Sequence, residues 1–215
     1  KIIKLIYGLI FKRKIIIEGL NSGNKLYKIV QEQAAKKEIK QIKDIKMPLI
    51  IPSVNLYNGE IYLFTSLENN RKYSDEYITL NNIEIGRAVQ ASCSYPGVFC
   101  PVNFKNKKLI DGGVRENTPW KELKELGADK IISIVFEKEE KTKKDVNMID
   151  CIIKAMEIQS HELYNYEVDG LEYILKIKTD LTSLLEIEKI DELYKEGYKQ
   201  TKRKMGKIKS YLYDK

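Results

Sequence analysis

One triplet in this chain could do chemistry at a defined place. Asp111-Gly112-Gly113 follows directly on the apolar pair Leu109-Ile110. It puts a carboxylate at the C-terminal end of a buried strand, where open α/β sheets build their sites. The two glycines let the backbone turn sharply and let another group approach closely. Such a carboxylate acts as a general base when a hydroxyl lies within hydrogen-bond reach. The same three residues also make a plain Asx-type turn, and taken alone the triplet leaves both readings open. The other reactive side chains read as structural. Ser92 and Ser94 fall at a helix end, where they pack or cap. Cys93 and Cys100 flank Pro96 and read as small buried hydrophobes, with nothing nearby to lower a thiol pKa. His161 is the single histidine. Relative to Ile149 it lies at roughly 120° on a helical wheel, off the apolar arc of Ile152, Ile153, Met156 and Leu163. It therefore reads as exposed and non-catalytic. Trp120, the only tryptophan, reads as a packing anchor at a helix start.

Alternating strands and helices must position that triplet. The cluster 19–24 precedes a helix capped by Ser22 or Asn21, with Leu26, Ile29, Val30 and Ala34 on its apolar face. Residues 47–52 read as a short buried strand, Asn58-Gly59 as a hairpin signal and residues 61–65 as the return strand. A helix over residues 83–92 presents Ile85, Ala88, Val89 and Ser92, and Pro96-Gly97 ends it. Residues 98–102 and 108–110 read as extended, with Asn106 near the turn. A helix over 118–126 closes at Gly127. Residues 131–136 form a continuous apolar strand of the kind covered on both faces of a parallel sheet. A charged loop over 137–147, a helix from Met148 to about Glu167 and a strand over 173–177 follow. A last helix over residues 186–212 carries a stripe through Ile187, Ile190, Tyr194, Tyr198, Thr201, Met205, Ile208 and Leu212. Gly197 and Gly206 interrupt it, which favours docking on the domain over a coiled coil. The pattern predicts one α/β domain over residues 1–215: a layered, mostly parallel sheet flanked by helices.

Composition narrows the function. With 38 basic and 31 acidic residues the net charge is +7, but lysine is spread along the chain among glutamates. No compact basic block or zinc-finger spacing is present, so no nucleic-acid partner is expected. One histidine and three cysteines of irregular spacing give no metal-ligand set, and no metal or cofactor is expected. In the apolar stretch 1–17 the longest uncharged run is residues 5–11, well short of the roughly 18 residues a membrane span needs. No signal peptide is evident, and a cytoplasmic or membrane-peripheral location is expected.

Several pieces together resemble the patatin-like phospholipase family. Ala91-Ser92, Pro96-Gly97, Phe99 and Pro101 fit its Arg-Ala-Ser to Pro-Gly block. Asp111-Gly112-Gly113 and then Asn117-Thr118-Pro119 fit its next two motifs. Upstream, residues 48–52 and the turn from Asn55 to Glu60 are similar to its strand and Asp-Leu-x-x-Gly-Glu turn. Leu126-Gly127-Ala128-Asp129 and Gly197-Tyr198 also fit. Two positions differ: the family's Arg is Gln90 here, with Arg87 one turn earlier, and the Asp before Leu is Asn55.

The resemblance implies serine acyl hydrolysis of a lipid or small ester, by a Ser–Asp dyad with an oxyanion hole and no cofactor. Asp111 matches the base, with Gly112, Gly113 and Asn117 as supporting motif residues. No serine of the sequence lies in Gly-x-Ser-x-Gly, and Gly19-Leu20-Asn21-Ser22-Gly23 has the wrong spacing. No nucleophile is therefore assigned. The domain is expected to be N-terminally incomplete, lacking a strand–elbow–helix unit of at least about 30 residues. The chain by itself is expected to be inactive as a hydrolase. A non-catalytic remnant serving as a binding domain is the alternative. The basic excess also leaves room for a transient contact with an anionic membrane surface.

Overall fold

The computed structural model describes residues 18–68, 77–138, 147–179 and 189–213. The expected features over residues 1–17, most of the loop over 137–147, and residues 186–188 of the last helix lie outside these. The described residues group into two compact units, one drawn from Lys1–Asn117 with Ile152–Glu167, the other from Thr118–Cys151 with Val168–Lys215.

The first unit is a five-stranded sheet with helices. In chain order it holds α1 (Asn24–Ala35), β1 (Ile50–Asn55), β2 (Ile61–Thr65), β3 (Tyr77–Leu80), α2 (Ile85–Ser92), β4 (Val102–Phe104) and β5 (Lys107–Asp111). The strand order is β3-β2-β1-β5-β4. The α/β layering follows the sequence pattern, but the sheet is mixed rather than mostly parallel. β1–β2, β1–β5 and β4–β5 pair antiparallel, and β2–β3 is parallel. The connections decide this. β1 and β2 are joined by residues 56–60, and β4 and β5 by residues 105–106, and neither length allows the crossover that parallel neighbours need.

Local chemistry sets the ends of these elements. Asn55 closes β1 with an Asx turn: its Oδ1 accepts the Tyr57 N–H at 3.2 Å and its carbonyl accepts the Gly59 N–H at 2.8 Å. Gly59 takes a φ of 74°, which glycine adopts at no steric cost. The cap of α1 is neither Ser22 nor Asn21 but Gly23, at φ 69°. Asn21 accepts the Gly23 N–H instead, at 3.0 Å. The core of this unit joins Tyr62, Phe64 and Leu109 of the sheet to Ala88 and Ala91 of α2, with Val30 and Ala34 of α1 packed against it. Phe64 and Phe104 meet edge to face at 6.5 Å. In α2, Ala91 and Gln90 are buried while Val89 and Ser92 are half-buried, so the inner face is rotated from the expected one.

The second unit contains α3 (Trp120–Glu125), β6 (Ile132–Lys138), β7 (Tyr173–Thr179) and α5 (Ile190–Tyr213). Between β6 and β7 the chain runs through α4 (Met148–Glu167), whose residues from Ile152 on belong to the first unit. β6 and β7 pair in parallel, as a helical connection permits. Leu175 and Ile177 of β7 pack on Ile208 of α5. β6 is not covered on both faces: Ile134 and Phe136 are 61% and 72% exposed, because α5 packs along β7. Trp120 anchors this unit beside Gly170, where a Cβ would lie 3.3 Å from the indole. α5 runs unbroken through Gly197 and Gly206.

Two glycine substitutions separate packing from propensity. A Cβ at Gly86 would lie 2.6 Å from the Tyr27 carbonyl oxygen, whereas one at Gly206 meets nothing within 4 Å. Gly86→Ala is expected to cost about 1–3 kcal/mol by forcing α1 from α2. Gly206→Ala is expected to stabilise by about 0.5–1 kcal/mol. Thermal unfolding of the two variants checks the opposite signs.

Candidate active site

β5 ends at Asp111 beside Ser53 of β1. Two contacts hold that end in place. Ser53, fully buried, donates its hydroxyl to the Ile110 carbonyl at 2.7 Å, and the Asp111 N–H donates to the Ser94 carbonyl at 3.1 Å. The chain then tightens into a 3-10 turn over Gly112–Val114, with Asp111 as its cap. The Asp111 carboxylate accepts the Gly113 N–H at 2.8 Å. The Asx-turn reading of the triplet is thus correct as geometry, and it uses one carboxylate oxygen. Among the described residues this amide is the one hydrogen-bond donor to the carboxylate.

Each glycine has a steric reason. A Cβ at Gly112 would stand 2.6 Å from the Pro52 carbonyl oxygen of β1. One at Gly113 would stand 3.0 Å from Asn117 Oδ1 and 3.2 Å from Asp111 Oδ1. The missing side chain at Gly113 lets Asp111 and Asn117 converge on the same turn. The Asn117 backbone N–H in turn donates to the Glu167 carboxylate, at 2.9 and 3.1 Å. The four motif residues Asp111, Gly112, Gly113 and Asn117 are therefore brought together.

Burial raises the Asp111 pKa above the usual carboxylate range, and the Gly113 amide opposes this. A raised carboxylate moves toward the pKa that suits a base near neutrality. Its neighbours respond to its charge. Cys93 reaches solvent, contrary to the buried expectation, because it stands at the C-terminal cap of α2, just past the inward-facing Ala91. Surrounding protein still raises its thiol pKa, and the Asp111 charge raises it further. Cys100 is half-buried. The Tyr95 phenol is raised by burial, then by Glu157 and Asp111. Ser94 is buried and donates its hydroxyl to the Gln90 carbonyl at 2.7 Å, as expected of a structural serine. His161 is exposed and meets Asn165 and Tyr164.

Sequence reasoning noted Gln90 and Arg87 only as a departure from a motif. Gln90 is buried, and its amide donates to the Ser22 carbonyl at 2.9 Å and Asn24 Oδ1 at 3.2 Å. It also accepts from Arg87 Nη1 at 2.8 Å. The Arg87 guanidinium lies 4.6 Å over the Tyr27 ring. The pair ties the start of α1 to α2, on one wall of an open polar cleft of about 550 Å³ also lined by Glu84 and Lys105. Asp111 is not among the residues that line this cleft. Among the described residues no three His, Cys, Asp or Glu side chains gather as a metal site, and no helix is long and apolar enough to cross a membrane.

A strand-end carboxylate held by its own glycine turn, on a sheet layered with helices, defines an α/β protein with a candidate acid–base site. The profile of the Patatin-like phospholipase family matches residues 3–124. The chain belongs to that family. It is also similar to the Lysophospholipase NTE1 of Lodderomyces elongisporus, 28% identical over 141 residues, and to that of Candida albicans, 29% identical over 141 residues. These matches take in 52% and 53% of this chain, and the chain covers 10% of the length of either relative.

The raised pKa has a stability consequence. A carboxyl whose pKa is higher folded than unfolded binds protons more tightly in the folded state. Its ionisation therefore costs stability as pH rises from the ordinary carboxylate value through the raised one. Asp111→Asn keeps an acceptor for the Gly113 amide and removes the half-buried charge. It is expected to raise Tm at pH 7, with the difference vanishing near about pH 3, where both states are protonated. Thermal melts of both proteins across that range check the sign.

Proposed function

We propose that this chain is part of a patatin-like serine acyl hydrolase acting on a lipid or small ester, with Asp111 as general base of a Ser–Asp dyad. The observation that carries the reading is the Asp111 turn. A half-buried carboxylate of raised pKa sits at a strand end, with one oxygen fixed by the Gly113 amide. In that role the second oxygen accepts the proton of a serine hydroxyl as it attacks the ester carbonyl. Protonated Asp111 then returns the proton to the leaving alcohol, and water attacks the acyl-enzyme with the same carboxylate as base. Gly112, Gly113 and Asn117 act as positioning residues that fix the carboxylate. Family membership and the similarity to two proteins named lysophospholipases support a lipid substrate.

The nucleophile is proposed to be a serine in a Gly-x-Ser-x-Gly elbow of the encoded polypeptide, since none of the serines among these 215 residues has that setting. The chain by itself is accordingly proposed to be inactive. The same fact favours a second reading, a non-catalytic relative that serves as a binding domain. An in-frame Gly-x-Ser-x-Gly in the gene upstream of Lys1 overturns that second reading.

The test is hydrolysis of a lysophospholipid and of a water-soluble p-nitrophenyl ester by the whole encoded polypeptide. Asp111→Asn is expected to lower kcat about 10²–10⁴-fold on both. Wild-type kcat should rise with pH as Asp111 ionises. Full activity of the variant overturns the assignment. The 215-residue chain should show no labelling by a fluorophosphonate, and labelling that Asp111→Asn abolishes would contradict its inactivity.

A further inference from the structure

We propose that α5 is a docking surface for an anionic lipid bilayer. α5 uses only part of its apolar stripe to pack within its unit. Ile208 enters the small core with Leu175 and Ile177. Gln200 brackets the backbone of Lys178, donating to its carbonyl at 2.8 Å and accepting from its N–H at 3.0 Å. Lys204 donates to the Lys176 carbonyl at 2.6 Å, and the Tyr211 hydroxyl meets the backbone of Ile131. These four positions fix one side of the helix against β7 and the start of β6.

The neighbouring arc is left open. At about 100° per residue, Ile190, Tyr194, Tyr198, Met205 and Leu212 fall within roughly 80° of one another. Tyr194 and Tyr198 are 73% and 60% exposed, and Ile190, Met205 and Leu212 are also exposed. Leaving such rings exposed to water gains nothing, whereas a membrane interface suits them, with an apolar ring in the acyl boundary and a hydroxyl among the headgroups.

The charge around this arc selects the sign of the surface. α5 carries seven basic and three acidic side chains, and all three acids (Asp191, Glu192, Glu196) precede Gly197. From Gly197 to Tyr213 there are six basic residues and no acidic one. Lys195, Lys202 and Lys209 flank the open arc within about 60°. Lys202 Nζ lies 5.9 Å from the Tyr198 ring centroid, so the cation and the ring present themselves together. Lysine stems can lie along the apolar boundary while their ammonium groups reach lipid phosphates. An anionic surface is the occupant whose charge complements this helix. The proposal deepens the lipid-hydrolase reading and rests on it for the purpose of the contact, not for the chemistry of α5.

Co-sedimentation of the full 215-residue chain with vesicles tests it. The chain should bind vesicles of phosphatidylcholine with about a third phosphatidylserine, and bind phosphatidylcholine alone at least ~10-fold less. Raising NaCl from about 0.1 M to about 0.5 M should release it. Lys202→Glu/Lys209→Glu and Tyr194→Ser/Tyr198→Ser should each weaken binding at least ~10-fold. Lys121→Glu/Lys124→Glu, exposed lysines of α3, should bind nearly as wild type. Failure to bind, equal binding to neutral vesicles, or an equal loss in the α3 variant overturns the proposal. So does a tyrosine variant that merely dissociates an oligomer while binding vesicles normally. Asp111→Asn should bind vesicles as wild type. Loss of the hydrolase reading in the soluble-ester assay is thereby distinguishable from loss of this one.

Discussion

A carboxylate at a strand end stays in one orientation only if the backbone meets it, and here that backbone is the Gly113 amide. The arrangement of the first unit's inner strands follows from this contact. Asp111 must arrive at the turn with its own N–H already spent on the Ser94 carbonyl, which requires the end of α2 to lie beside β5. Gly112 must pass under the Pro52 carbonyl, which requires β1 and β5 to be neighbours. Ser53 then completes the pairing from within, by donating to Ile110 where no water competes. A side chain at either glycine would push the strands or the carboxylate aside. The site is thus a consequence of backbone proximity, with few side chains of its own.

The second constraint is connection length. Short links make β1–β2 and β4–β5 hairpins, and the helical link between β6 and β7 makes them parallel. Much of this was legible. Residues 61–65 read as a strand and are β2, because Asn58-Gly59 marks its start and its five residues are all buried. Direction is legible at the Asn58-Gly59 hairpin, but the expectation of a mostly parallel sheet fails, since an apolar strand looks the same in either orientation and only the links distinguish them. The exposed Ile134 and Phe136 were missed for a related reason: an apolar run shows that a face is hydrophobic, not that something covers it.

The site was legible where a motif encodes backbone need. Asp111, Gly112, Gly113 and Asn117 stand together because their spacing describes one turn and its support. Cys93 was misread because its exposure depends on where α2 ends, a matter of one residue. Gln90 looked like a lost charge. Its role is only visible once the start of α1 lies against α2, where a buried amide can donate to Ser22 and Asn24 while accepting from Arg87. Arginine could donate to the same carbonyls but could accept nothing from Arg87. A neutral amide accepts from Arg87 at a position where a second guanidinium would repel it.

The solvent-reaching thiol of Cys93 beside Asp111 makes the carboxylate observable. Because the Asp111 charge raises the thiol pKa, thermodynamic reciprocity requires a Cys93 thiolate to raise Asp111 by the same coupling. Whenever Asp111 takes up a proton, the thiol beside it becomes easier to ionise, and its alkylation rate at fixed pH changes with it. Comparing Cys93 alkylation at fixed pH in wild type and Asp111→Asn reads that coupling without substrate, turnover or a nucleophile.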